Sequence, residues 1–194
     1  MYYTETKATL RRELKARLAS VAPELLAAWS LRAQANALGW RGFAQARTVA
    51  LYAPLRGEVD TAALIEAALA AGKRVVLPRV MPGTRALAFH AVNAASPLVA
   101  GRYGLREPSS SSAPVPPGDV DVFVVPGLGF DRAGGRLGRG AGHYDATLAL
   151  APRALRLGLA FELQVVTSLP LEPHDVALHA LATEAGLSEP QRVI

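Results

Sequence analysis

TVALYAPLRGEVDTAALIEAALAAGKRVVLPRV, residues 48–80, is the stretch from which the fold is read. Two short apolar runs of β-forming character, TVALYAP at 48–54 and RVVLPRV at 74–80, flank DTAALIEAALAAG at 60–72, and together they predict a βαβ unit. Asp60 is placed to cap the intervening helix and Gly72 to stop it. Upstream, Leu10, Leu14 and Leu18 recur every four residues, which stacks them on one face of a helix from about Thr4 to Ser20. Pro23 suits the first turn of a second helix, which Leu25, Leu26, Trp29 and Leu38 extend to Gly39. Downstream, ALAFHAV (86–92), DVFVVPG (121–127) and LRLGLAF (155–161) predict further strands. Val122 to Val125 lack polar alternation, as a strand buried on both faces of a parallel sheet requires. The fold class is therefore α/β. PSSSSAPVPPG at 108–118 resists helix and strand alike and predicts a surface loop. Because strands occur on both sides of it, residues 1–194 are expected to form a single domain.

Composition narrows the function. A chain of 194 residues, 51% hydrophobic and 19% charged, supports a substantial core and excludes a disordered protein. No apolar run approaches the roughly 18 to 20 residues of a membrane span. The opening MYYTETKATLRRELK lacks the apolar stretch of a secretory signal, so a soluble cytoplasmic protein without membrane partners is expected. The absence of cysteine removes disulfide scaffolds, thiolate zinc sites and cysteine nucleophiles together. Lys plus Arg number 21 against 16 for Asp plus Glu, a net charge of +5. Arginine dominates the cations and holds phosphate in a planar fork, which points to an anionic ligand. The basic residues form no dense cluster interleaved with aromatics, so composition gives no support to nucleic-acid binding.

The segment richest in chemistry is PGLGFDRAGGRLGRGAGHYD, residues 126–145, directly after the most apolar strand, at the strand end that ligands favour. Its glycines allow backbone N–H groups close to a ligand, and Arg136 and Arg139 add cationic forks, a combination suited to phosphate. It is not a Walker A loop, which needs Gly-Lys before Ser or Thr, and its spacing does not match a dinucleotide fingerprint. On composition alone it also reads as a mobile surface loop.

Taken with KATLRRELK (7–15), LRGEVDT (55–61), LPRV (77–80), RYGLREP (102–108) and LPLEPHD (169–175) followed by Thr183 and Glu184, this segment resembles the 5-formyltetrahydrofolate cyclo-ligases, also called 5,10-methenyltetrahydrofolate synthetases. The resemblance spans nearly the whole chain. It implies an α/β fold with a mostly parallel sheet flanked by helices in a three-layer sandwich, similar to sugar-phosphate isomerases and coenzyme A transferases. It implies an enzyme that uses ATP and Mg2+ to convert 5-formyltetrahydrofolate into 5,10-methenyltetrahydrofolate, releasing ADP and phosphate; a monomer is expected. Formamide oxygen is a very poor leaving group, and in the implied mechanism its phosphorylation lets N10 close onto the activated carbon.

Carried over residue by residue, the resemblance assigns Lys7, Arg11, Arg136, Leu137, Gly138, Arg139, Gly140, Gly142 and Tyr144 to ATP, with Arg136 and Arg139 as the catalytic cations. It assigns Ala53, Glu58, Arg139 and Tyr144 to the folate, and Asp145 and Asp175 to magnesium. Each residue also has an ordinary structural reading. Lys7 and Arg11 border an apolar helix face that their stems can cover. Glu58 is a loop acid ahead of the Asp60 cap, Asp145 a first-turn acid and Asp175 a turn residue after Pro173. Two positions depart from familiar versions of the loop: Ala141 stands where Gly or Lys is usual, and His143 where Tyr is usual. Two other function classes stay open on sequence grounds. One is a sugar-phosphate isomerase or acyl-CoA-type transferase, which would need no ATP. The other is a noncatalytic nucleotide- or nucleic-acid-binding protein, whose binding to polynucleotide would fall steeply with salt.

Overall fold

A computed structural model describes residues 6–101 and 104–190. Arg102 and Tyr103 of the RYGLREP motif, and Thr4 and Glu5 at the expected start of the first helix, lie outside the described residues. The chain opens with α1 (Lys7–Ala19), whose first turn is capped by Thr6 accepting from the Thr9 N–H, and α2 (Pro23–Leu38), which ends at Gly39. A short α3 (Arg41–Gln45) leads into β1 (Thr48–Ala50), α4 (Ala62–Ala70) and β2 (Arg74–Arg79). These last three form the expected βαβ unit, with β1 and β2 parallel and Val49 beside Val75. Asp60 serves the helix start one residue before its cap position: Oδ1 accepts from the N–H groups of Thr61 and Ala62.

The remaining strands are β3 (Ala88–Val92), β4 (Leu98–Ala100), β5 (Arg106–Pro108), β6 (Pro114–Val115), β7 (Val122–Val125), β8 (Gly129–Asp131), β9 (Arg136–Leu137), β10 (Leu155–Leu159), β11 (Val165–Val166), β12 (Ala180–Thr183) and β13 (Gly186–Ser188). Helix α5 (His143–Leu148) lies between β9 and β10. Eight strands make one sheet in the order β13-β12-β10-β7-β1-β2-β3-β6. The run β12-β10-β7-β1-β2 is parallel throughout, and antiparallel strands extend it at both edges. The sheet is thus large and mostly parallel, with helices packed on it. The 108–118 stretch is less irregular than its composition suggests. Pro114 and Val115 pair with β3 as an edge strand, where a proline's missing N–H costs no ladder bond.

Alternate side chains of the central strands feed two cores. Val49, Leu51, Val75, Leu77, Val122 and Val124 meet Ala33, Ala37 and Leu64 of α2 and α4. On the opposite side, Ala50, Val76, Phe123 and Val125 meet Leu148 of α5 and Ala151. Burial of both faces explains why β7 carries no polar residue. Helix α1 uses its leucine stripe as expected: Leu10 and Leu14 pack with Leu137 and Leu169, and Leu18 enters the larger core.

The strand order fixes where a ligand can sit. Within the parallel run, the chain leaves β1 for β2 on one side and reaches β7, β10 and β12 on the other. The crevice at the carboxyl ends of β1 and β7 is consequently a topological switch point.

Candidate active site

A cleft of about 590 Å3 opens at that switch point. Tyr52, Ala53, Leu55 and Glu58 enter it from the loop after β1, and Pro126 and Gly127 from the end of β7. The segment 136–145 forms another side, α1 contributes Lys7 and Arg11, and Pro78, Val80 and Leu87 supply an apolar wall. Every residue assigned from the sequence to ATP, folate or magnesium lines this one cleft.

The glycine-rich segment is not a mobile loop. Its first half folds into the β8–β9 hairpin, with Gly129 opposite Leu137 and Phe130 opposite Arg136. Asp131 organises the turn: Oδ1 accepts from the N–H groups of Ala133 and Gly135 at 3.0 and 2.7 Å, and Oδ2 from that of Leu169 at 2.9 Å. A Cβ on Gly135 would stand 2.5 Å from the Asp131 carboxylate, so this glycine serves the hairpin and not a ligand. Beyond Pro126 and Gly127 at its start, only 136–145 of the segment borders the cleft, and there Gly142 takes φ +70° to turn the chain into α5.

The cleft's cations are mostly tied to carboxylates. Arg136 is buried and donates from Nη2 to Asp145 Oδ1 at 2.7 Å, with its guanidinium 5.6 Å from the centre of the Tyr144 ring. Arg139 donates from Nε to Glu58 Oε1 at 2.9 Å. The other Glu58 oxygen accepts from the Leu55 N–H, so both of its oxygens are engaged within the protein. Lys7 Nζ lies 2.7 Å from both Glu172 Oε2 and Asp175 Oδ2. Arg11 differs: its Nε donates to the Gly138 carbonyl at 2.9 Å, which pins the loop to α1, and it makes no ion pair among the described residues.

These contacts shift protonation. Burial works against the Lys7 ammonium, but hydrogen bonds and charge from Asp175 and Glu172 outweigh it and raise its pKa. Burial also opposes ionisation of Asp175, yet Lys7 and the Glu172 N–H hold its carboxyl below the usual range. Burial, reinforced by the charge of Glu58 and opposed by Arg136, pushes the Tyr144 phenol up, so it remains a hydrogen-bond donor at neutral pH.

Asp145 and Asp175 do not form one cluster. Asp145 pairs with Arg136, whereas the ligand atoms of Asp175, Glu172 and His174 lie within 4.8 Å of one another. Neither His174 nor Glu172 is among the residues assigned from the sequence, although both stand with Asp175 in the quoted LPLEPHD motif. His143 adopts a structural role at its ring: Nδ1 lies 2.7 Å from the Arg85 carbonyl, which can only accept, so the proton sits on Nδ1.

An α/β scaffold that gathers cations, a glycine-bearing turn and carboxylates at its switch point defines a ligand-binding cleft suited to a phosphate-bearing substrate. The model of the 5-formyltetrahydrofolate cyclo-ligase family matches residues 3–184. The 5-formyltetrahydrofolate cyclo-ligase of Mycolicibacterium smegmatis is 36% identical over 160 residues, covering 73% of this chain and 76% of that protein. The corresponding Escherichia coli K12 protein is 33% identical over 180 residues, covering 91% and 99%. The solution structure of Aquifex aeolicus 5,10-methenyltetrahydrofolate synthetase superimposes with a TM-score of 0.85 at 31% identity, covering 97% of this chain and 94% of that one. The chain belongs to the 5-formyltetrahydrofolate cyclo-ligase family. It is a ring-closing ligase, and the family reaction is the ATP-dependent conversion of 5-formyltetrahydrofolate to 5,10-methenyltetrahydrofolate.

Proposed function

We propose that the switch-point cleft carries out this reaction, with ATP phosphates over residues 138–142 and the pterin beside Glu58. The observation behind this reading is the convergence of Arg11 from α1, Glu58 from the loop after β1, and Arg139 and Tyr144 from the 136–145 segment on one cleft. Arg11 and Lys7 meet the phosphates from α1. Arg139, 38% exposed at its side chain, is the cation free to swing from Glu58 to a phosphate. Glu58, released from Arg139, then accepts from pterin N–H groups.

In the reaction, the formyl oxygen attacks the γ-phosphorus and the bond to ADP breaks. N10 then closes onto the formyl carbon, loses its proton, and the former formyl oxygen departs within inorganic phosphate. Phosphoryl transfer needs little covalent help from protein, so the chain's part is to hold both substrates in line and offset developing charge. Arg139 takes that role directly. Arg136, buried against Asp145 and Tyr144, acts mainly by fixing the loop that carries Arg139. Tyr144 donates its hydroxyl to phosphate or stacks on a ring.

Magnesium fits the carboxylates present. Hard oxygen ligands suit it, and a cationic ammonium already sits 2.7 Å from both Glu172 and Asp175. Asp175, with Glu172 beside it, would hold it together with ATP oxygens, and its chemistry there would be neutralisation of phosphate charge; Asp145, assigned to magnesium from the sequence, is paired with Arg136 outside that cluster. The chain is read as a monomer built as a single domain. The scaffold is read as related to sugar-phosphate isomerases and coenzyme A transferases, and the protein as cytoplasmic.

Absorbance of the methenyl product, followed with and without ATP and magnesium, tests the reading. Product only in the complete mixture is expected. ATP-independent turnover of a sugar phosphate or acyl-CoA would replace it with the isomerase or transferase alternative.

A further inference from the structure

A second cavity, of about 500 Å3, adjoins the cleft and shares Leu55, Glu58 and Arg139 with it. It lies between the later turns of α1, the start of α2 and the loop 54–58. Leu18, Val21, Leu26 and Leu128 give it an apolar wall, and Lys15 and Arg56, both exposed, bring positive charge. Neither cation makes an ion pair among the described residues. Among the described residues, the sole carboxylate in its lining, Glu58, is already engaged by Arg139 and the Leu55 N–H. The cavity is therefore greasy along one side and positively charged without compensation.

Helix α1 links the two spaces. Lys7, Arg11 and Lys15 follow at intervals of four residues, so they form one row, each step about 6 Å along the axis. The first two face the cleft and the third lines the second cavity. Volume adds a reason for using both spaces. At about 590 Å3 the cleft has the capacity of one drug-sized ligand, whereas the reaction brings together a nucleotide and an elongated folate.

We propose that the second cavity receives the far end of the folate: its aromatic amide packs on the apolar wall, and Lys15 and Arg56 hold the glutamyl carboxylates. This rests on the pterin being read by Glu58, as proposed above. The Arg139–Glu58 pair then stands at the threshold between the halves of the substrate, and Lys15 and Arg56 set the preference for glutamyl chains.

The experiment compares kcat/KM for 5-formyltetrahydropteroate, which lacks glutamate, with the monoglutamate and triglutamate forms of 5-formyltetrahydrofolate. Full-length wild type, Lys15→Ala, Arg56→Ala and the double variant are measured at low and moderate salt. Wild type is expected to favour the glutamylated substrates, and each Ala substitution to cut the ratio of glutamylated to pteroate turnover by about threefold, the scale of one exposed charge pair. Lys15→Arg should retain the preference, and added salt should erode it in wild type more than in the double variant. A general structural defect would scale all three substrates equally. A ratio unchanged in the double variant overturns this proposal alone. Failure of wild type to form methenyl product from any of the three would overturn the cleft reading and this proposal with it.

Discussion

Arg139 and Glu58 show how little of a side chain's commitment is visible in its type. The sequence marks one as a phosphate cation and the other as a folate acid, 81 residues apart; the fold joins them in an ion pair at 2.9 Å. Arg139→Ala should lose on the order of several hundredfold in turnover, about 3 to 4 kcal/mol of transition-state stabilisation, while urea unfolding changes little. A folded Arg139→Ala enzyme with near-normal turnover would remove Arg139 from catalysis. Glu58→Gln keeps the shape but loses the charge, and calorimetry should find folate affinity weakened more than nucleotide affinity. Equal weakening of both ligands would argue against a pterin-side role. The assignments themselves rest on motif resemblance. The pairing was not, since no local pattern states which distant carboxylate a loop arginine will meet.

At the scale of elements, periodicity was the reliable signal. The leucine stripe of α1, the βαβ unit and the apolar run of β7 all appear where spacing and polarity put them. The glycine-rich segment carries no period, which is why the β8–β9 hairpin was invisible and its glycines read as ligand contacts. Asp131 holds that hairpin through three backbone N–H groups and connects it, at Leu169, to the stretch leading to Asp175. Asp131→Ala leaves those donors without their acceptor, and chemical denaturation should find a loss of at least about 3 kcal/mol. An unchanged midpoint and slope would show that Asp131 does not organise the turn. The tie between Lys7 and Asp175 should appear in pH dependence. Asp175 has a lowered pKa, so its contribution is present above its unfolded value near 3.8 and disappears as pH falls through the folded value. Lys7 has a raised pKa, so its contribution is complete below 10.5 and is lost as pH climbs through the folded value. The gap in melting temperature between wild type and Asp175→Asn should accordingly be flat across neutral pH and close at both extremes. A gap that persisted in acid would exclude the carboxylate as its source.

For the molecule as a whole, the parallel order β12-β10-β7-β1-β2 decides where chemistry can occur, and that order could not be read from the sequence, which supplies strands but not their neighbours. Because the cleft joins α1, the sheet ends and the 172–175 segment, a ligand bound there should stabilise the entire fold by mass action. At about a hundredfold excess over its Kd, ATP with magnesium should add about 2.7 kcal/mol, which for a chain of this size is a rise of about 5 to 10 °C in Tm. Arg11→Ala should shrink that rise if the proposed nucleotide site is right, because Arg11 joins α1 to the Gly138 carbonyl and its remaining guanidinium N–H groups are the ones proposed to meet phosphate. An undiminished shift would place Arg11 outside the nucleotide site.

The ion pairs of Lys7 with Glu172 and Asp175, of Arg136 with Asp145, and of Arg139 with Glu58 mean that three of the cleft's cations are already matched by carboxylates before any substrate arrives. A bare anion that captures one of these cations strands its former partner as an uncompensated negative charge alongside. Entry is thus an exchange of counterions, favourable when the newcomer brings replacements for what it removes. A triphosphate carrying its own divalent ion, followed by a pterin whose N–H groups satisfy a released carboxylate, completes that exchange; free phosphate or sulfate does not. Discrimination against the commonest anions around the protein is in this way already built into the resting salt bridges.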